Sequence, residues 1–139
     1  MALGAKRIVV NLQAQTVTAY DGNSVFHTCD CVSGDSSHPT PTGKFSVIRK
    51  EHPYTSRTYK APMNYALFFK STGEALHQYH GPAPWGLLRA GRSLTTFVGS
   101  HGCVRLQEAD ARKLYFWAPL RTSVEVISSV PCLPTVVEY

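Results

Sequence analysis

The sequence predicts a mainly β domain, a sheet or sandwich of mostly antiparallel strands with one short helix, and three observations carry that prediction. Apolar residues in the first half alternate with polar ones at the period of two that a half-buried strand requires. The alternating stretches are separated by turn chemistry, of which Asp21-Gly22-Asn23 is the clearest signal. One later stretch, Gln107 to Trp117, carries the three- and four-residue spacing of a helix. At 139 residues and 43% hydrophobic, the chain can bury a core within one domain without help from metal or disulfide. That domain is expected over residues 1–130, with 131–139 as a proline-interrupted tail.

The elements follow in order. Ile8, Val10 and Leu12 mark one face of a first strand, and Gln15 to Tyr20 returns with Val17 and Ala19 on one side. After the Asp-Gly-Asn turn, a third strand runs from Ser24 to Ser33 and stops at Gly34. Asp35 to Gly43 holds Ser36, Ser37, Pro39 and Pro41 and reads as a loop. Phe45 and Val47 open another strand. Met63 to Phe69 is apolar enough for a central strand, Ser71-Thr72-Gly73 turns, and Glu74-Ala75-Leu76-His77 returns antiparallel to it. The mixture of Pro, Gly, Trp and Arg from Gly81 to Gly99 sustains no period and predicts a long loop or lid, a common location for function. In the helix, Ala111, Leu114, Tyr115 and Ala118 fall on one face and Pro119 stops it; a last strand spans Ser123 to Ile127.

A formal charge of +5 favours anionic partners. The basic residues are nevertheless scattered, as in Arg49-Lys50, Arg57, Lys60, Arg89 and Arg92, with no basic helix or aromatic-spaced stripe, so no nucleic-acid partner is expected. No run approaches the roughly 18 apolar residues of a membrane helix. Met1 to Arg7 lacks the apolar stretch of a signal peptide, which implies either another export route or a sequence that begins after a removed leader.

The chemistry concentrates in Ser100-His101-Gly102-Cys103-Val104-Arg105-Leu106. A cysteine is a nucleophile as its thiolate, so it needs a base, a cation or a backbone dipole nearby. Gly102 removes a side chain next to the sulfur, which lets a carbonyl approach and lets backbone N–H groups face a developing oxyanion. Acyl transfer is the chemistry this pattern suits. For the base the chain offers His27, His38, His52, His77, His80 and His101. His77 at the end of a central strand is the better candidate, with His80 its rival; His101 sits in a tight turn where its ring need not face the sulfur. Arg105 fits carboxylate recognition, loop anchoring or an ion pair with Glu108 or Asp110. Tyr79 and Trp85 fit either a substrate cover or a loop pin.

Four cysteines, Cys29, Cys31, Cys103 and Cys132, do not space out as a disulfide framework. Cys29 and Cys31 lie two apart on a strand, share a face and are poorly placed to bridge each other, and they read as buried small hydrophobes. A bridge from Cys132 to one of them is open in an oxidising compartment. Zinc ligand sets are conceivable in His77 and His80 with Cys103, or His27 with Cys29 and Cys31. Neither spacing is a zinc signature, so no metal and no cofactor are expected.

Taken together, these segments resemble the catalytic domain of the L,D-transpeptidases, the cysteine enzymes that cross-link peptidoglycan. The Ser100-to-Leu106 heptapeptide resembles the family signature. Val32-Ser33-Gly34 followed by Pro39-Thr40-Pro41-Thr42-Gly43-Lys44-Phe45 is similar to a loop that precedes a strand in that fold; Lys6 to Tyr20 resembles its opening hairpin and Met63 to His77 the hairpin ending in the catalytic histidine. The resemblance implies an L,D-transpeptidase-like β-sandwich with a short helix after the cysteine motif. It implies that Cys103 attacks the carbonyl between the third residue of a stem tetrapeptide and its terminal D-Ala, and that an amine resolves the thioester. His77 would take the thiol proton, oriented by the Gln78 backbone carbonyl, and Ser100, His101, Gly102 and Arg105 would shape the pocket and oxyanion site. The connection from His77 to Ser100 is longer than the family's usual spacing and Gln78 stands where many relatives have a small residue, which keeps His80-Gly81 in play as the match. The expected partners are peptidoglycan stem peptides, the expected state is a monomer, and the expected location is the periplasm or cell envelope. L,D-carboxypeptidation, with water as acceptor, a wall-attacking effector role and an inactive peptidoglycan-binding module are the competing readings.

Overall fold

Residues that alternate in the sequence become two-faced strands, and the faces decide which side of each sheet is dry. The computed structural model describes residues 5–34, 39–57, 60–81, 84–90 and 102–128. In chain order the elements are β1 (Lys6–Asn11), β2 (Thr16–Asp21), β3 (Ser24–Asp30), β4 (Gly43–Ser46), β5 (Arg49–Glu51), β6 (Ala66–Phe68), β7 (Ala75–Gln78), α1 (Trp85–Ala90), β8 (Val104–Leu106), α2 (Glu108–Trp117) and β9 (Ser123–Ile127). The strands form a five-stranded sheet in the order β3-β2-β1-β9-β4 and a four-stranded sheet in the order β5-β6-β7-β8. Pairing is antiparallel except for β1 with β9 and β7 with β8.

Local chemistry sets the turns of the first three strands. The Asn11 side chain accepts the backbone N–H groups of Gln13 and Ala14, an Asx turn that reverses the chain between β1 and β2. At the next reversal Gly22 takes a φ of +65°, which glycine adopts without a Cβ clash. The β2–β3 register slips once: Tyr20 faces Val25 and Ala19 faces His27, so Phe26 is the extra residue of a bulge.

The main core lies where Ile8, Val10, Val17, Ala19, Val124 and Val126 of the larger sheet pack with Leu67, Leu76, Val104 and Leu106 of the smaller one. Burying each Leu or Val of this kind contributes about 1.5–3 kcal/mol. Ala111, Leu114 and Ala118 add the buried stripe of α2 to the same core. Glu108 and Asp110 sit in the first turn of that helix, where the dipole favours negative charge, and Pro119, which lacks an N–H, follows its end. The opposite face of the smaller sheet builds a second, smaller cluster of Met63, Ala66, Phe68, Ala75 and Cys103. Strand alternation produces this division, because Leu67, Leu76 and Val104 point one way while Ala66, Phe68, Ala75 and Cys103 point the other.

The mainly β, mostly antiparallel sandwich matches the expectation from sequence, with three unanticipated elements: helix α1 and the short strands β5 and β8. A second helix, α1, lies inside the stretch from Gly81 to Gly99 expected to be irregular. Its six residues fall short of the window in which helical periodicity registers, and tertiary hydrogen bonds hold it: Arg89 donates from Nη2 to the Gln15 carbonyl at 3.0 Å and from Nε to the Cys31 carbonyl at 3.4 Å. The short, charged β5 was also not anticipated; it is fixed by pairing with β6 rather than by its own alternation. The tail at 131–139, the rest of the expected lid at 91–99, and His38, Ser100, His101 and Cys132 lie outside the described residues.

Candidate active site

The site is built by one strand pairing. β7 and β8 run parallel with Leu76 opposite Val104 and His77 opposite Arg105. Because side chains alternate, Ala75 and His77 share a face with Cys103 and Arg105, while Leu76 and Val104 turn into the main core. Nucleophile and base candidates 26 positions apart in sequence thus stand on one face of adjacent strands, two residues out of step. β8 is fixed on its other side by a two-way backbone bridge, Val32 N–H to Arg105 O at 2.9 Å and Arg105 N–H to Val32 O at 2.8 Å.

Cys103 is buried, and its thiol donates to the Gly73 carbonyl at 3.6 Å while the Ala75 backbone N–H faces the sulfur. Burial is the largest influence on it and pushes its pKa up from 9.0 to about 11. The Ala75 N–H and Arg105 pull it back, and Glu74 pushes it up further. His77 is buried as well, and burial pulls its pKa down from 6.5 to about 4, with Arg105 and His80 acting in the same direction. Its Nδ1 lies 2.8 Å from the Gln78 carbonyl oxygen. A carbonyl only accepts, so Nδ1 carries the proton and Nε2 is the basic nitrogen. At neutral pH the resting pair is therefore a thiol and a neutral imidazole.

Gly102 is required by both conformation and space. Its φ is +91°, and a Cβ there would lie 3.1 Å from Glu74 Cγ and 3.4 Å from the Pro39 carbonyl oxygen. The Pro39–Pro41 loop thereby comes against the cysteine motif, and it is tied from within by the Gly34 N–H donating to Thr40 Oγ1 at 2.9 Å. Arg105, buried, directs its guanidinium at the Val32 and Ser33 carbonyls at 3.4 and 3.3 Å, which is the loop-anchoring role among those expected of it. The ion pair with Asp110 expected as an option is replaced: Asp110 meets His27 at 2.8 Å.

His80 is exposed on the segment leaving β7. The glycine after it has a packing cause, since a Cβ at Gly81 would collide with the Tyr79 ring. Tyr79 and Trp85 contact each other with ring centroids 5.9 Å apart, which pins α1 beside β7. Among the described residues His77, His80 and Cys103 do not gather as a metal cluster; the grouping within metal reach is His27, Cys29 and Asp110. The alternative set of His27 with Cys29 and Cys31 is not the one assembled, because Cys31 is fully buried in the main core. Cys29 and Cys103 are free thiols. Sequence reasoning missed Glu74, Gly73 and Ala75 as neighbours of the sulfur, since only the parallel register of β7 and β8 brings them there.

Compared with known families, residues 5–126 match the model of the YkuD family, described as the L,D-transpeptidase catalytic domain. The chain belongs to this L,D-transpeptidase family. Its curated relatives include L,D-transpeptidase 1 of Mycobacterium tuberculosis, 28% identical over 131 residues, covering 86% of this chain and 49% of that protein. The chain thus spans about half the length of the curated relatives it matches. Among solved structures, an L,D-transpeptidase from Stackebrandtia nassauensis superposes with a TM-score of 0.74 at 29% identity, covering 94% of this chain and 58% of that one. The Ldtfm–avibactam carbamoyl enzyme gives a TM-score of 0.74 at 30% identity, covering 90% and 49% respectively. The family's β-sandwich is the architecture described above, and no helix among the described residues is long and apolar enough to cross a membrane.

Proposed function

We propose that this L,D-transpeptidase domain transfers the acyl group of a peptidoglycan tetrapeptide stem through a Cys103 thioester. The observation that carries the reading is the in-register parallel pair of β7 and β8, which puts Cys103 and His77 on one sheet face with the His77 tautomer fixed by the Gln78 carbonyl. Cys103 Sγ attacks the carbonyl between the third stem residue and D-Ala as its proton passes to His77 Nε2. The tetrahedral intermediate collapses, the imidazolium gives that proton to the departing D-Ala amine, and a thioester remains. An acceptor amine then gives a proton to His77, attacks the thioester, and releases the cross-linked stem and the Cys103 thiol.

Because the resting thiol is held neutral by burial, proton transfer to His77 accompanies attack rather than preceding it. Gly102 leaves the approach to the sulfur open, and the oxyanion role is assigned to Ser100, His101 and Gly102 by their likeness to the family motif. Arg105 acts as a positioning residue through Val32 and Ser33, and His77 rather than His80 is the base. A net charge of +5 suits carboxylate-bearing stems in the cell envelope. A relative's carbamoylation by avibactam supports a nucleophile that accepts acyl groups.

The test is incubation with tetrapeptide muropeptides, with and without an amine acceptor, resolved by mass spectrometry. Cross-linked or exchanged stems are expected. Tripeptides alone would assign L,D-carboxypeptidation, and unchanged muropeptides with Cys103 fully reduced would refute the enzyme reading.

A further inference from the structure

We propose that His27, Cys29 and Asp110 form a divalent-cation site, suited to zinc, that fastens the edge strand β3 to helix α2. Register brings the three together. His27 pairs with Ala19 and Cys29 with Val17, and Val17 and Ala19 are buried on the inner face of the sheet, so both donors project from that same face. The bulge places Phe26 and His27 side by side against α2, with Phe26 stacked on Trp117 at 4.7 Å and His27 reaching Asp110. Asp110 supplies the third donor from the first turn of α2.

The geometry fits a tetrahedral ion with three protein ligands and an open position for water. Bonds of about 2.0–2.3 Å to oxygen, nitrogen and sulfur set donor atoms roughly 3.3–3.7 Å apart. Here His27 Nε2 and Asp110 Oδ1 are 2.8 Å apart and all three donor atoms lie within 4.8 Å of one another, a spread that bracket the required spacing and that small rotations of side chains on a strand and a helix can meet. Thiolate and imidazole together select zinc over magnesium or calcium.

Charge points the same way. Asp110 and Asp30 are the acidic neighbours of the Cys29 sulfur, and their carboxylates favour a cation beside it. Metal binding displaces the Cys29 proton to solvent, and the sulfur lone pair forms the bond to the metal with no change of oxidation state. Lys113, over the Phe26 ring at 5.1 Å, is the neighbouring cation that the ion must tolerate. The site belongs to the larger sheet, whereas Cys103 stands on the smaller one. A bound ion would tie β3 to the helix that follows the cysteine motif and raise the stability of the folded chain by mass action.

The experiment titrates Co²⁺ into the Cys103→Ala protein while following the near-ultraviolet thiolate-to-cobalt charge-transfer band, then displaces it with Zn²⁺. One cobalt per chain is expected, with the band abolished by Cys29→Ser and the affinity lowered at least about tenfold by His27→Ala or Asp110→Asn. Since such variants can also unfold, a second measurement keeps the three ligands intact: iodoacetamide labelling of Cys29, read by peptide mapping, is expected to fall when Zn²⁺ is present. A band that survives in Cys29→Ser would overturn the site, as would Cys29 labelling that Zn²⁺ leaves unchanged. In either case the 2.8 Å contact between His27 and Asp110 is a plain side-chain hydrogen bond.

Discussion

Alkylation of Cys103 across pH tests the resting state of the site most directly. The structure raises this thiol from 9.0 to about 11, a two-unit shift. At about 1.4 kcal/mol per unit this is about 3 kcal/mol against the thiolate, or about a hundredfold less of it at pH 8 than for an ordinary thiol. Iodoacetamide needs no general base, so its rate at Cys103, followed by peptide mapping to separate it from Cys29 and Cys31, should climb log-linearly with pH toward 11. No plateau should appear near neutrality. Burial is the first cause and Glu74 an opposing charge, so Glu74→Gln should move the whole profile to lower pH. A preformed thiolate–imidazolium pair would instead give a plateau beginning below pH 8. That result would refute the neutral-pair reading and with it the argument that attack and proton transfer to His77 are concerted.

Further expectations concern the base, the motif glycine and acid stability. His77→Ala should lower kcat/KM for stem-peptide transfer by about 10²–10⁴-fold, while His80→Ala stays within a few-fold; steady-state kinetics of both variants decides, and the reverse order would transfer the role to His80. Gly102→Ala places a Cβ 3.1 Å from Glu74 Cγ at a φ of +91°, and should cost about 1–3 kcal/mol of stability, read as a lower Tm; an unchanged Tm would contradict the geometry. His77 titrates near 6.5 when unfolded and at about 4 when folded, so the unfolded chain binds the proton first as pH falls. Its contribution is complete above about pH 6.5 and lost progressively down to about 4, to a total of about 3 kcal/mol. Urea denaturation at pH 7 and 4.5 should show a smaller acid loss in His77→Asn than in the parent, and equal losses would contradict the depressed pKa.

The sequence made the strands of the larger sheet legible because their buried face repeats every second residue, as Ile8, Val10, Val17 and Ala19 do, and because Asp21-Gly22-Asn23 announces a reversal. It made α2 legible through Ala111, Leu114 and a terminal proline. What it hid was non-local. The parallel alignment of β7 and β8 leaves no mark in either three- or four-residue strand, so Gly73, Glu74 and Ala75 could not be connected with Cys103. Helix α1 depends on Arg89 reaching carbonyls of Gln15 and Cys31, partners that only folding supplies. The bulge at Phe26 shifts the pairing of β3 by one residue, which puts His27 opposite Ala19, on the face where it meets Asp110.

That bulge also bears on how the domain behaves at high concentration. β3 is an outer strand, and an outer strand that is long and flat invites a second chain to extend the sheet. Phe26 breaks the flatness at mid-strand and its ring is stacked on Trp117, so an incoming strand meets an interrupted ladder. The other sheet ends in β5, whose three residues, Arg49, Lys50 and Glu51, are all charged, while Val32 already occupies the free side of β8. The larger sheet's far margin, β4, is four residues long. The described strand edges of both sheets are thus short, charged, interrupted or already occupied, and each resists extension by a copy of the same strand.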